Sequence, residues 1–171
     1  MQGLVQVYTG NGKGKTTAAL GLALRAVGAG LKVFIAQFVK GMEYSELKTI
    51  QERFPEITIR QYGRDCFIIN QPTEDDLKLA HKGLTEARKI IQSGDYDIVI
   101  LDEANIAVYY QLFTIDELLK IIRSKPQHVE IIITGRKAHP RLIEVADLVT
   151  DMQEVKHYYQ AGIKARKGIE L

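Results

Sequence analysis

A glycine-rich stretch near the start of the chain carries the residues with the clearest chemistry. It spans residues 9–17 and reads TGNGKGKTT. Glycines let a backbone adopt positive φ, so that successive N–H groups converge on phosphate oxygens. A helix that begins at Gly14 would add free N–H groups and its positive dipole end. The stretch is therefore predicted to be a P-loop that binds the triphosphate of ATP together with magnesium.

Two side chains of this loop have predicted roles of their own. Lys15 supplies a positive charge for the distal phosphates, and the Thr16 hydroxyl is placed to ligate magnesium. The loop departs from the strict pattern, which has glycine five residues before Gly14, because Thr9 stands there and Gly10 comes one place later. The alternative is a glycine-rich turn that merely joins a strand to a helix. The flanking elements and the Gly-Lys-Thr-Thr register favour the P-loop.

A pair of acids follows an apolar segment further along the chain. Asp102 and Glu103 end the sequence DIVILDE. At the end of a parallel strand they would emerge close to the P-loop, where one can hold the metal and the other can act as a base or a second ligand. A solvated strand end is the alternative. The order of the two acids is ambiguous: in an ATPase the second acid would orient water, whereas here Glu103 could simply bind the metal.

Two arginines are candidate contacts for the nucleotide. Arg136 follows the predicted strand 129–134 and could meet phosphate or substrate, or could be a surface residue beside a turn glycine. Arg25 lies on the first helix, where spacing alone favours a solvent-exposed side chain. The basic tail from Lys156 to Lys167 is either a solvated face or a site for an anionic ligand. The residues predicted to bind the nucleotide are Gly10, Asn11, Gly12, Lys13, Gly14, Lys15, Thr16, Thr17, Arg25 and Arg136.

The elements that must position these residues alternate between strands and helices. The predicted strands are residues 4–9, 32–39, 57–62, 96–101, 129–134 and 148–152. The predicted helices are residues 15–27, 43–54, 72–93, 114–123 and 140–146. Several strands are apolar on both faces, which is typical of a parallel sheet covered by helices on both sides. The prediction is a single three-layer α/β domain over residues 1–171, with the P-loop NTPase (RecA-like) fold and a mainly parallel sheet.

Composition limits the class of protein further. The 171 residues are 46% hydrophobic and 26% charged, and the net charge is only +2. These values indicate a globular protein and disfavour nucleic acid as the main partner. The single cysteine, Cys66, is expected to be a small buried residue. The N-terminus has no signal-peptide pattern and no apolar run is long enough to span a bilayer, so the expectation is a cytoplasmic protein without a membrane partner.

Beyond these patterns, the whole chain resembles the P-loop family of ATP:corrinoid adenosyltransferases. The matching segments are TGNGKGKTTAA from Thr9, QFVKG from Gln37, LDE from Leu101, ITGR from Ile133 and the C-terminal residues 155–170. The resemblance implies that a reduced cobalt(I) corrinoid attacks the 5′-carbon of ATP and expels triphosphate. It also implies Lys15, Thr16 and Glu103 as catalytic residues, Thr16 and Glu103 as ligands of magnesium or manganese, and more weight for Arg25. A flavoprotein reductant and a homodimer are the implied partners.

The resemblance has two departures, and the motifs alone leave other functions open. Better-known members have a helix ahead of the first strand, whereas this sequence starts almost at that strand. They also carry aromatic residues after the third strand that shield the corrinoid, where this chain has only Phe67. The alternatives are an ATPase or small-molecule kinase with Asp102 or Glu103 as base, and a non-catalytic ATP-dependent switch.

Overall fold

The computed structural model describes residues 2–42, 44–64 and 71–170, so Cys66 and Phe67 lie outside the described residues. The strands are β1 (Val5–Thr9), β2 (Val33–Phe38), β3 (Ile57–Tyr62), β4 (Ile98–Asp102), β5 (Glu130–Thr134) and β6 (Leu148–Asp151). The helices are α1 (Lys15–Gly28), α2 (Ser45–Arg53), α3 (Glu74–Ser93), α4 (Ala104–Tyr109), α5 (Ile115–Arg123) and α6 (Pro140–Val145), with a short 3₁₀ helix at Tyr158–Ala161. The alternation of strands and helices predicted from the sequence is confirmed.

The six strands form one sheet in the order β3-β2-β4-β5-β1-β6. Every neighbouring pair is parallel, which goes further than the mainly parallel sheet that was predicted. The interior strands β2, β4 and β5 are buried along their whole length, because helices cover both faces of the sheet. Parallel strands place their carboxyl ends along one edge, and the predicted P-loop, Asp102, Glu103 and Arg136 therefore meet there.

Local sequence explains how the helices around this edge are held. Helix α1 buries the small residues Ala19, Ala23 and Ala26, which lets it lie close to the strands. Helix α3 begins at a capping box in which Thr73 and Asp76 satisfy each other's backbone N–H groups. Gly94 ends that helix in the left-handed conformation.

Helix α4 was not predicted from the sequence. It begins directly after β4, and only Glu103 separates the last strand residue from the first helical one. Glu103 makes this abrupt turn in the left-handed conformation, with φ of 58°. A strand that passes into a helix through one residue leaves no glycine, proline or polar run to mark the boundary.

Left-handed backbone recurs at the strand ends that face the site. Gly10 after β1, Val39 after β2, Glu103 after β4 and Gly135 after β5 all have positive φ. Glycine adopts this conformation freely, whereas a β-branched residue such as Val39 does so only under strain. Each of these strands therefore turns sharply at its carboxyl end, and the following residues face back toward a common centre.

Candidate active site

The phosphate loop is anchored to the segment that follows β6. Gly12 N–H donates to the Met152 carbonyl at 2.6 Å, and Met152 N–H donates to the Thr9 carbonyl at 2.9 Å. The Thr9 hydroxyl accepts a hydrogen bond from Ala138 N–H at 3.3 Å. Thr9 is thus the last, hydrogen-bonded residue of β1, and Gly10 makes the turn with φ of 93°. This explains why glycine comes one place late in the motif.

Two of the loop glycines are required by close packing. A Cβ at Gly10 would lie 2.2 Å from Asp151 Oδ1, and a Cβ at Gly12 would lie 2.7 Å from the Met152 carbonyl oxygen. No side chain fits at either distance. Gly14 is the N-cap of α1 with φ of 117°, so the helix begins at Lys15, the first residue of the predicted helix 15–27.

Lys15 is folded into the loop that it belongs to. Its ammonium donates to the carbonyl oxygens of Gly10, at 2.8 Å, and of Gly12, at 2.6 Å. The residue is only 8% exposed, and burial lowers the pKa of its ammonium, although the Glu103 carboxylate opposes that shift. The charge therefore sits at the centre of the loop, as the predicted role with phosphate requires.

Asp102 lies at the centre of a buried hydrogen-bond network. Its Oδ1 accepts from Thr16 Oγ1 at 2.9 Å and from Thr134 Oγ1 at 2.6 Å. Its Oδ2 accepts from Lys40 Nζ at 2.7 Å and from Gln37 Nε2 at 3.2 Å. The carboxylate is 1% exposed, and a buried charge is tolerated only when it is paired and hydrogen-bonded in this way. The network joins the ends of β2, β4 and β5 to the start of α1.

Lys40 is the cation of this network. Besides Asp102, its ammonium donates to Thr16 Oγ1 at 3.1 Å and lies 5.4 Å from the centre of the Tyr44 ring. Burial opposes the charge, but the carboxylates of Asp102 and Glu103 outweigh it and raise the pKa of Lys40. Lys40 therefore carries its positive charge at neutral pH.

Glu103 projects from the turn between β4 and α4. Its backbone N–H donates to Thr134 Oγ1 at 2.9 Å, and its Oε2 would lie 3.1 Å from a Cβ at Gly135. Burial, reinforced by the negative charge of Asp102, raises the pKa of Glu103. The two acids thus differ in role: Asp102 organises the network, and Glu103 faces the space in front of the phosphate loop.

That space is a cavity of about 600 Å³, within the range of small-molecule sites. Its polar wall includes Lys13, Lys15, Lys40 and Glu103, and its apolar wall includes Leu20. A second cavity of about 330 Å³ lies on the other side of Lys13 and Lys15. The second cavity is lined by Asn11, Gly12, Lys13, Lys15, Glu103, Arg136, Glu154, His157, Tyr159 and Gln160.

The C-terminal residues cover one side of the loop. Lys13 Nζ donates to the Ile169 carbonyl at 3.0 Å, to Glu170 Oε1 at 3.1 Å and to Tyr158 Oη at 3.2 Å. The Tyr158 hydroxyl and Arg166 also donate to Glu170. His157 and Ala165 of the tail line the cavity, whereas its lysines and arginine are exposed and Arg166 pairs with Glu170, so a site for an anionic ligand in the basic tail stays a prediction.

The two candidate arginines have different positions. Arg136 is exposed and lines the second cavity beside the loop, next to Glu103. Arg25 lies in the last turn of α1 and is exposed, ten residues beyond Lys15. A helix rises about 1.5 Å per residue, which puts about 15 Å of helix between Arg25 and the loop. The described residues thus bring Arg136 to the site and leave Arg25 away from it.

The donor set fits a hard divalent cation. Thr16 and Glu103 line the cavity, Asp102 lies behind the Thr16 hydroxyl, and the Lys40 ammonium lies against both Thr16 and Asp102. Within residues 2–42, 44–64 and 71–170, no cluster of three or more His, Cys, Asp or Glu residues could hold a metal by itself. Magnesium typically uses one or two protein oxygens together with substrate phosphates, so this incomplete set suits it.

Sequence reasoning gave no role to Lys40, Gln37 or Thr134. All three lie at strand ends, on the edge where the predicted site residues meet. Two signals were available: each residue is polar at or just beyond the end of an apolar strand, and all three fall in the matching segments QFVKG and ITGR. The motif drew attention to the phosphate loop and the acids, and not to the groups that hydrogen-bond to Asp102.

Comparison with known proteins identifies the relatives of this chain. Residues 1–171 match the profile of a family described as ATP:corrinoid adenosyltransferase BtuR/CobO/CobP. A corrinoid adenosyltransferase of Pseudomonas aeruginosa is 38% identical over 99% of this chain and 84% of its own length. A corrinoid adenosyltransferase of Escherichia coli is 36% identical, and corrinoid adenosyltransferase CobA of Salmonella typhimurium is 35% identical, each over 99% of this chain and 86% of its own length. Within the described part of this chain, no helix is long and apolar enough to cross a membrane.

Proposed function

The chain belongs to the family of ATP:corrinoid adenosyltransferases, and on this basis we propose that its site transfers the 5′-deoxyadenosyl group of ATP to the cobalt(I) of a reduced corrinoid. The observation that carries the proposal is the set of cations on one wall of the cavity, namely Lys13, Lys15 and Lys40. Such a wall suits a leaving group with the high negative charge of triphosphate. The product would serve the synthesis or salvage of adenosylcobalamin.

The proposed reaction needs little acid–base chemistry from the protein. Cobalt(I) supplies the electron pair for the new cobalt–carbon bond and becomes cobalt(III). The bond between the 5′-carbon and oxygen breaks, and its electron pair leaves with the triphosphate. The protein must hold ATP in line for this attack and stabilise the charge on the departing oxygens.

Each group of the site has a part in that task. The loop amides and Lys15 bind the phosphates, and Arg136 lies beside the second cavity at the same loop. A divalent cation, magnesium or manganese, held by Thr16 and Glu103 would supply further positive charge to the triphosphate. Asp102 fixes the Thr16 hydroxyl at 2.9 Å and so positions one of these ligands.

Partners and location are finer parts of the same proposal. The cobalt(I) state requires a reductant, for which the family resemblance implies a flavoprotein. A homodimer follows from the same resemblance, and the exposed edge strand β6, with Leu148 and Val149, offers an apolar surface for a second copy. We place the enzyme in the cytoplasm. Light scattering of the purified protein would test the dimer.

One experiment separates this function from its main rival. The protein is mixed anaerobically with ATP, magnesium and chemically reduced cobalamin, and the visible spectrum and phosphate products are followed together. Adenosyl transfer gives a light-sensitive alkylcobalamin and one triphosphate per turnover. An ATPase, which would use Glu103 to activate water, gives ADP with no spectral change, and this result would overturn the proposal.

The role of the loop lysine is tested in the same assay. Lys15→Ala removes the charge at the centre of the loop and should abolish adenosylation. Lys48→Ala is a suitable control, because Lys48 lies on α2 with a side chain that is 79% exposed. Near-normal activity of Lys15→Ala would contradict the phosphate role.

A further inference from the structure

The ammonium of Lys40 lies where a metal ion would be expected in a site of this kind. It contacts Thr16 Oγ1 at 3.1 Å and Asp102 Oδ2 at 2.7 Å. These groups are a hydroxyl that starts the helix after the phosphate loop and a carboxylate that ends a neighbouring strand. In P-loop enzymes that combination holds magnesium. A protein cation is thus seated on Thr16, one of the two proposed metal ligands, and on Asp102, the carboxylate that positions the Thr16 hydroxyl.

The backbone around Lys40 is built to direct it there. Val39, immediately before it, has φ of 62°, a conformation that strains a β-branched residue. A Cβ at Gly63 would lie 2.4 Å from Lys40 N, and a Cβ at Gly41 would lie 2.5 Å from the Arg64 carbonyl. The turns after β2 and β3 therefore pack backbone against backbone. Strain of this kind persists where the surrounding structure enforces it, often at a functional site.

Two cations cannot share these oxygens at hydrogen-bonding distance without strong repulsion. Without nucleotide, Lys40 is the group that balances the buried charge of Asp102, whose side chain is 1% exposed. We propose that Lys40 is a built-in counter-ion that keeps divalent cations off Thr16 and Asp102 until a metal–nucleotide complex displaces it onto the triphosphate. This inference rests on the proposed function for the identity of that nucleotide.

The displaced ammonium has a destination within the same site. Lys40 lines the 600 Å³ cavity together with Lys13 and Lys15. A lysine side chain is long and flexible, so a swing away from Asp102 brings its charge toward the phosphates without movement of the backbone. The metal then replaces Lys40 as the charge that balances Asp102, and Lys40 becomes a further cation for the leaving group. Binding of free metal is suppressed, while binding of the metal–nucleotide complex is favoured.

The test measures metal binding without nucleotide or corrinoid. Mn²⁺ is titrated into the nucleotide-free protein, and the free ion is counted by electron paramagnetic resonance. Lys40→Gln leaves the Asp102 charge unbalanced and should bind Mn²⁺ at least about tenfold more tightly than the unaltered protein. Lys40→Arg keeps the positive charge, so it should not bind Mn²⁺ more tightly than the unaltered protein. Lys48→Gln, an exposed lysine on α2, controls for the change in net charge.

Equal Mn²⁺ binding by the unaltered protein and Lys40→Gln, including none by either, would overturn the proposal. So would a gain of the same size in Lys48→Gln. Lys40→Met also removes the charge but keeps an aliphatic side chain beside Tyr44, so it repeats the test with a second substitution. Thermal unfolding checks that each variant is folded. The proposed function is judged separately, because failure to form alkylcobalamin would not alter the Mn²⁺ result.

A second readout follows the proposed destination of the ammonium. Inorganic triphosphate with Mg²⁺ is titrated into the protein by calorimetry. Lys40→Gln loses one charge contact with phosphate, which offsets its tighter hold on the metal, so its affinity for the complex should not show the tenfold gain predicted for Mn²⁺ alone. A tenfold gain here as well would overturn the second half of the proposal, the transfer of Lys40 onto the triphosphate.

Discussion

Two lysine–carboxylate pairs flank the phosphate loop, and they differ mainly in their contact with water. Lys40 and Asp102 are 2.7 Å apart, with side chains that are 14% and 1% exposed. Lys13 and Glu170 are 3.1 Å apart, with side chains that are 40% and 16% exposed. The first pair joins strand ends deep in the sheet, and the second joins the loop to the C-terminal residues. Similar chemistry is thus present at two depths.

The difference in solvent exposure indicates which pair can determine the chemistry of the site. Removal of one partner from a buried pair leaves an uncompensated charge in a medium of low polarity, which is costly. An exposed pair is screened by water and salt and holds its partners only weakly. We therefore expect Lys40 and Asp102, the inner pair, to fix the charges that meet the triphosphate. Lys13 and Glu170, the outer pair, should affect only how the C-terminal residues cover the loop.

The largest predicted effect is at the centre of the inner pair. Asp102→Ala removes the acceptor of four hydrogen bonds and leaves the buried Lys40 charge unpaired. The free energy of unfolding should fall by about 3–5 kcal/mol. Urea denaturation followed by circular dichroism measures it.

Asp116→Ala is the matched control, since Asp116 pairs with Arg141 at 2.6 Å on the surface with a side chain that is 73% exposed. It should leave the unfolding midpoint almost unchanged. If Asp102→Ala cost no more than Asp116→Ala, burial would not be what separates the two pairs.

The second prediction concerns the close packing of the phosphate loop against residues 152–153. Gly12→Ala would force a Cβ to within 2.7 Å of the Met152 and Gln153 carbonyl oxygens. Overpacking of this kind typically costs about 1–3 kcal/mol of unfolding free energy. Gly21→Ala is the control, because nothing lies within 4 Å of its Cβ, and alanine in a helix should add about 0.5–1 kcal/mol. Thermal unfolding compares the two glycine variants. Equal shifts of the unfolding midpoint would contradict the contact of the loop with residues 152–153.

Glu103 lies between the two pairs and gives a prediction with a pH dependence. Burial and the Asp102 charge raise its pKa in the folded protein, so the folded state holds this proton more tightly than the unfolded chain does. Folding stability from this group is therefore complete below the unfolded pKa of about 4.3, and it is lost as the pH rises through the folded value.

Glu103→Gln has no carboxyl group to ionise at position 103, so the variant does not lose this folding stability as the pH rises. The variant should be more stable than the unaltered protein at pH 7, and the difference should vanish near pH 4. Denaturation midpoints over this pH range measure the difference. The same variant should lose adenosylation, because a proposed metal ligand is replaced. A variant that is less stable at pH 7 would show that Glu103 is balanced by the nearby cations, as Asp102 is.

The fold could be predicted because its signals are local. Apolar runs such as VEIIIT mark buried strands, and glycine and proline mark most of their ends. Helix α4 escaped prediction because Glu103 alone turns the chain from strand to helix, and a left-handed glutamate has no signature in sequence. The boundary errors were small by comparison, such as α1 ending at Gly28 and not at residue 27.

The site was only partly predictable, for a related reason. Lys15, Thr16, Glu103 and Arg136 follow from motif and strand order, and the structure brings them to two cavities that share Lys15 and Glu103. The network around Asp102 depends on which strands are neighbours, since β2, β4 and β5 are adjacent only in the folded sheet. Lys40 has no motif of its own that identifies its partner. The contact of Lys13 with Glu170 joins residues 157 positions apart, and no local pattern predicts it.

The smallest predicted effect is at the outer pair. Glu170→Gln removes the charge that balances Lys13 but leaves the Ile169 carbonyl and the Tyr158 hydroxyl as acceptors of its hydrogen bonds. The unfolding midpoint should not change measurably. Lys13, with its charge released, should bind phosphate slightly better, so that KM for ATP falls by less than about threefold at low salt.

The salt dependence and the reverse substitution decide whether this small effect has the proposed origin. At about 1 M salt the screening length is about 3 Å, and the decrease in KM should disappear. Lys13→Gln should raise KM, the opposite sign, because it removes the charge itself. If Glu170→Gln instead raised KM as Lys13→Gln does, Glu170 would act by anchoring the C-terminal residues over the loop. The outer pair would then hold segments of the chain together, as the inner pair does. The difference in solvent exposure would not explain the different roles of the two pairs.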